Sequence, residues 1–292
     1  MHAYGPAAEK GAVSEPRSWL FVPADSERKI TKALDSEADA VIFDLEDSVA
    51  PAMKPVARDV LKSLLKRSGG PQWWLRVNPL GSEFIRDDLE LIGIADVHGI
   101  VLPKAESGAD VTELAHRTGN IPIHAIVTET AASLFGLLSY RQPGSPLAAM
   151  SWGAEDLSAA LGASSKYDDS GEISFTYRLA RSLCRAGAIA AGVQPVDGVF
   201  ADFKDDEGLR AEAEAARREG FTGKLAIHPA QVSVINAAFT PSTDDVRHAQ
   251  EIVAAFEAHP DAGVLSVNGK MVDRPHLMQA RRVLDRATRD RA

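Results

Sequence analysis

Ala40-Val41-Ile42-Phe43-Asp44-Leu45-Glu46-Asp47 joins a continuous apolar run to a cluster of acids. Branched and aromatic side chains without alternation suit a strand buried on both faces, as in a parallel sheet. The same grammar recurs outward in both directions. Apolar runs stand at 19–22, 40–45, 73–77, 99–102, 121–127, 147–152, 196–200 and 224–227, eight in all. Between them lie stretches with charges at every third or fourth position, such as 54–66, 83–92 and 108–117. Strand–helix alternation of this kind points to parallel βαβ units. The stretch 205–220 shows a helix with both ends marked: acids Asp205, Asp206 and Glu207 first, Arg217 and Arg218 last, then Gly220 as the stop.

Eight units fit a (β/α)8 (TIM) barrel, although a doubly wound open sheet has the same local texture. Polar residues at the run ends separate the two: Asp44 and Glu46, Arg76 and Asn78, Lys104, Glu129, Glu155 and Asp156, Asp202, His228. Barrel closure gathers such ends on one face. An open sheet would spread them and would carry a glycine-rich nucleotide turn at its switch point, and neither GxGxxG nor GxxxxGK[ST] occurs. The expected organisation is a leader over 1–16, read as disordered, a barrel over 17–240, and an extension over 241–292. That extension holds a helix over 241–259, a turn at Asn268-Gly269 and a last helix over 274–289. It looks too small for a core of its own and is expected to pack on the barrel or on a neighbouring subunit.

The 292 residues suit one barrel plus a short appendage. A net charge of −9 argues against nucleic acid as partner, and no apolar run is long enough for a membrane helix. A single cysteine, Cys184, fits a reducing compartment, and the chain is expected to be cytoplasmic.

Glu129 and Asp156 follow adjacent runs, and Gly153 and Ala154 leave room beside them. Paired carboxylates of this kind suit a hard cation such as Mg2+, which takes few protein ligands and fills its shell with water and substrate oxygens. Helix capping is the plainer reading of each acid alone. Glu46, in the acidic turn, would hold a metal-bound water. Arg76, flanked by Leu75 and Val77, is either a salt bridge to Asp44 or Glu46 or a bidentate fork for a substrate carboxylate. Arg17 is a weaker candidate for substrate binding, and Lys29, opening the first helix, for phosphate binding. By spacing alone Asp273 reads as a helix cap.

Several segments together resemble the citrate lyase β-subunit-like family of the HpcH/HpaI aldolase superfamily, which includes malyl-CoA and citramalyl-CoA lyases. They are Arg17–Pro23, Val41–Asp47, Leu75–Asn78, Leu102–Glu106, Val127–Thr130, Trp152–Leu157, Ile227–Pro229 and Gly269–Asp273, in the family's order. The resemblance implies a barrel binding magnesium through Glu129 and Asp156, with Arg76 on a keto-acid carboxylate. It implies a coenzyme A thioester substrate cleaved to acetyl-CoA and an α-keto acid, or the reverse condensation. It further implies a homotrimer or hexamer in which Asp273 enters the adjacent subunit's site as acid/base residue. A malyl-CoA-type thioesterase and a non-catalytic subunit of a larger lyase complex are the alternatives.

Overall fold

The computed structural model describes residues 15–64, 70–94 and 96–289. All but two residues of the expected leader lie outside the described residues. The order is β1 (Ser18–Pro23), α1 (Glu27–Leu34), β2 (Ala40–Asp44), α2 (Lys54–Leu64), β3 (Gln72–Arg76), α3 (Ile85–Leu89), β4 (Gly99–Leu102), α4 (Gly108–Thr118), β5 (Ile123–Ile126) and α5 (Ser133–Gly136). It continues with β6 (Leu147–Ser151), α6 (Ala154–Ala160), α7 (Phe175–Ala191), β7 (Gln194–Asp197), α8 (Asp206–Glu219), β8 (Gly223–Ala226) and α9 (Ala230–Phe239). Each of the eight apolar runs supplies one strand. Neighbouring strands pair in parallel, and β8 returns to β1 through Ser18–Lys224 and Leu20–Ala226, so the sheet is a closed TIM barrel.

Successive side chains on a strand point to opposite faces. Val41 and Phe43 of β2 therefore join the apolar layer beneath the helices. Ala40 and Ile42 face the lumen with Trp19, Trp74, Val101, Ile126, Val196 and Leu225. The lumen is filled: Trp19 meets Trp74 edge-on at 4.8 Å and His124 at 4.6 Å. Burial excludes the charged form of His124 and lowers its pKa to about 3. The same alternation, continued one step, sends Asp44 after Ile42 and Arg76 after Trp74 into the barrel mouth.

The helix ends follow the sequence signals. Asp205 caps α8 by accepting the Gly208 amide at 2.9 Å, and Gly220 stops it with φ of 107°.

The described residues of 16–239 form one compact unit, and those of 240–289 belong to a second. The second contains α10 (Thr243–Ala258), β9 (Val264–Val267), β10 (Lys270–Asp273) and α11 (Arg274–Arg289). Asn268 and Gly269, with φ of 52° and 75°, turn β9 into antiparallel β10. Both residues take the positive φ that a type I′ hairpin requires. The expectation that this stretch lacks a core is corrected here. Ile252, Phe256, Val267, Val272, Leu277 and Ala280 are buried together, because the hairpin gives the apolar stripes of α10 and α11 a shared surface.

Candidate active site

Six strand ends contribute charged or aromatic groups to the barrel mouth. Arg76, ending β3, presents Nε and Nη2 to the two oxygens of Asp44, each at 2.7 Å. Its Nη1 lies 2.9 Å from Glu46 Oε2, and its guanidinium plane stacks on Phe21 at 4.7 Å. The salt-bridge reading of Arg76 is therefore realised with both acids at once. The bidentate edge offered to a substrate in the sequence reading is turned toward Asp44. Burial works to raise the Asp44 carboxyl, but the Arg76 charge and hydrogen bond outweigh it and hold the group below its ordinary value. At Glu46 the balance tips the other way: burial raises it despite Arg76 and Lys104.

Glu129, just beyond β5, is buried, and its Oε2 accepts the Lys104 amide at 2.5 Å. Burial pushes its carboxyl up to about 8, and the charges of Asp156 and Glu46 push the same way. Asp156 lies in the first turn of α6, part-exposed, with Oδ1 3.4 Å from the Lys104 ammonium. That ammonium also pairs with Glu46, and with Asp47 at 3.2 Å. Gly153 packs beneath Glu129, where a Cβ would stand 2.8 Å from Glu129 Cγ and 3.1 Å from Oε1. Only glycine leaves the carboxylate its place.

These residues fit a hard cation. The donors are carboxylate oxygens, the charges of Asp156 and Glu46 destabilise the ionised form of Glu129, and a glycine keeps space beside that most buried acid. Among the described residues no group of three or more His, Cys, Asp or Glu side chains is gathered closely enough to hold a metal alone. A site of two carboxylates completed by water and substrate agrees with both facts.

The support for Glu46 comes from Asn78, already marked as a strand-end residue, and from Lys54, Arg58 and Asp88, which carry no such mark in the sequence. Lys54, buried at the start of α2, donates to the carbonyls of Leu45 and Glu46 at 2.8 and 3.0 Å and to Asn78 Oδ1 at 2.8 Å. Asn78 in turn donates to Asp88 at 2.7 Å, and Arg58 pairs with Asp88 at 2.8 Å. The acidic turn is thereby bolted to α2 and α3.

Three other candidates are placed differently. Arg17 precedes β1 and pairs with Asp39, its amide and Nε at 2.8 Å and its Nη2 at 2.9 Å. That is the opposite end of the barrel, roughly 17 Å along the strand from the mouth. Arg17 is corrected to a structural ion pair. Lys29 is exposed in the first turn of α1, at the mouth's end. Asp273 ends β10, where its Oδ1 accepts the His276 amide at 3.4 Å and lies 2.5 Å from His276 Nδ1. The hydrogen bond from His276 holds the Asp273 carboxyl below its ordinary value.

Residues 17–229 match the HpcH/HpaI aldolase/citrate lyase family. The chain belongs to that family. It is an enzyme of this lyase and aldolase fold, and its mouth residues occupy the matched stretch. It is 38% identical over 277 residues to the (3S)-malyl-CoA thioesterase of Cereibacter sphaeroides, covering 93% of this chain and 94% of that one. It is 33% identical to the mitochondrial citramalyl-CoA lyase of Rattus norvegicus, covering 93% and 86%. It also resembles the crystal structure of the protein CitE from Mycobacterium tuberculosis in complex with magnesium, acetoacetate and coenzyme A. There the TM-score is 0.82 at 36% identity, covering 94% of this chain and 99% of that one. No helix among the described residues is long and apolar enough to cross a membrane.

Proposed function

We propose that this protein is a magnesium-dependent carbon–carbon lyase acting on a 3-hydroxy-3-carboxyacyl-CoA such as malyl-, citramalyl- or citryl-CoA. The products are acetyl-CoA and an α-keto acid, and the reverse condensation uses the same groups. The carrying observation is buried Glu129 beside part-exposed Asp156, whose charge raises the Glu129 carboxyl, with the Arg76 guanidinium at the same barrel mouth. Support comes from the magnesium, acetoacetate and coenzyme A bound by the Mycobacterium tuberculosis relative.

Glu129 and Asp156 would hold the ion, with Glu46 accepting from a water on it. When bound, the ion supplies Lewis-acid polarisation of the substrate's hydroxyl and carboxylate oxygens. Arg76, locked by Asp44 and Phe21, orients the substrate carboxylate with what remains free of its polar edge. In cleavage the bond between the α-carbon and the hydroxyl-bearing carbon breaks, the hydroxyl proton leaves, and the α-carbon gains a proton. Asp273, delivered from a neighbouring copy in a homotrimer or hexamer, exchanges that α-carbon proton. The His276 hydrogen bond that lowers its carboxyl favours the base role of the condensation direction. Lys29, at the rim, meets the coenzyme A phosphates.

Hydrolysis of a malyl-CoA-type thioester is the second reading, favoured by the Cereibacter sphaeroides relative. Incubation with malyl-, citramalyl- and citryl-CoA and magnesium, with products read by mass, separates the two. Acetyl-CoA with a keto acid is expected. Free coenzyme A with intact malate assigns the thioesterase instead, and no turnover of any of the three overturns both.

A further inference from the structure

Two non-glycine residues among those described have positive φ. Asn268 has a local reason, the hairpin turn. Lys104, at φ of 52°, has none in its own sequence, and a long side chain there carries backbone strain. What the conformation achieves is a division of labour within one residue. The Lys104 amide points at Glu129 Oε2, while the side chain turns back over the mouth to Glu46, Asp47 and Asp156. Glycine would adopt this backbone without strain but would bring no charge.

The position of that charge has a consequence for the metal. Magnesium sits about 2.1 Å from its carboxylate oxygens. An ion on either oxygen of Asp156 therefore lies within roughly 8 Å of an ammonium that is 3.4 Å from Oδ1. Both cations are drawn to the same acids, and at that separation salt screens their repulsion only in part. The ammonium and the magnesium ion compete.

We propose that Lys104 is the built-in counter-ion of the metal-free site, which magnesium displaces from Asp156. The proposal rests on the magnesium reading above and extends it. Without metal, the ammonium ties Asp156, on the β6 side, to Glu46 and Asp47, on the β2 side, so that acids which repel one another stay in place. With metal, the ammonium withdraws to Glu46 and Asp47. Lys104 thus weakens magnesium binding and protects the empty site.

The test is calorimetric titration of magnesium into the purified, chelator-treated full-length protein without substrate, alongside thermal melts with and without the ion. Lys104→Met and Lys104→Gly are each expected to bind magnesium at least fivefold more tightly than the wild type. Their melting temperatures should fall below the wild type in chelator and rejoin it at saturating magnesium. Lys104→Arg, which keeps the charge, should bind within twofold of the wild type. The glycine variant relieves the backbone strain, so it separates loss of charge from misfolding. Unchanged or weaker binding in the methionine and glycine variants overturns the counter-ion role alone. A folded wild type that binds no magnesium, like the control Asp156→Asn, overturns the metal reading itself.

Discussion

Two buried charge networks lie in the same barrel and are built on opposite principles. At β7 and β8, Asp197 receives Lys224 at 2.9 Å, Arg181 at 2.8 Å and the Trp152 indole N–H at 2.8 Å, so each carboxylate oxygen has a cationic donor. Lys224 is completed by Glu212 at 2.6 Å and the Gly198 carbonyl at 2.8 Å. Burial alone would raise the Asp197 carboxyl, but its two cations bring it down to about 2. At the mouth, Glu129 has one amide and two like-charged neighbours, and its carboxyl stands at about 8. A satisfied network holds a fold together; an unsatisfied one is waiting for something positive. Both carboxyls are displaced strongly from their ordinary range, one downward by partners already in place and one upward for want of them.

The contrast can be broken first at its structural end. Asp197→Ala takes a carboxylate from buried Lys224 and part-buried Arg181 and should cost about 3 kcal/mol in urea unfolding, the low end of the penalty for halving a buried pair because each cation keeps another acid. A loss below 1 kcal/mol would show the network to be ornamental. The two networks should also respond to pH with opposite sign. Asp197 titrates lower folded than unfolded, so its contribution is present above about pH 4 and lost as pH falls through about 2, about 2–3 kcal/mol in all. Glu129 titrates higher folded than unfolded, so metal-free protein should lose stability as pH rises from about 4 toward about 8. Unfolding curves in chelator between these limits would show that decline, and Glu129→Gln should flatten it.

Arg76→Lys sharpens the comparison at the functional end. It keeps the charge but loses the fork, and kcat/KM should fall by about tenfold or more, roughly 1.4 kcal/mol, with magnesium affinity within twofold. Near-normal kinetics would reduce Arg76 to a partner of Asp44. The smallest effect is expected at Gly153→Ala, whose methyl would press on Glu129. A stability loss of about 1 kcal/mol with weaker magnesium binding is expected, and unchanged binding would remove the cradle from the account.

The barrel was legible because its strands are short, doubly buried and therefore continuous in the sequence; 40–45 and 147–152 announce themselves. The Asn268-Gly269 turn was legible for the same local reason. The site was legible only in its strand-end acids and Arg76. Lys104 gave no local sign of its left-handed backbone, and its partners Glu46 and Glu129 are 58 and 25 residues away. Arg17 was misplaced although its position before the first run already puts it at the end away from the mouth; only its partner Asp39, 22 residues on, was beyond local pattern. Lys54 resembles any helix-opening lysine until the carbonyls of Leu45 and Glu46 are folded onto it. Local pattern encodes elements; charge placement depends on what closure brings together.

The edge-on cluster of Trp19, Trp74 and His124 has one more consequence. It corks the lumen beneath the mouth, so the barrel is a cup rather than a tube. On the proposed function, the ion and the substrate would both have to come in from the strand-end side, with no passage through the floor.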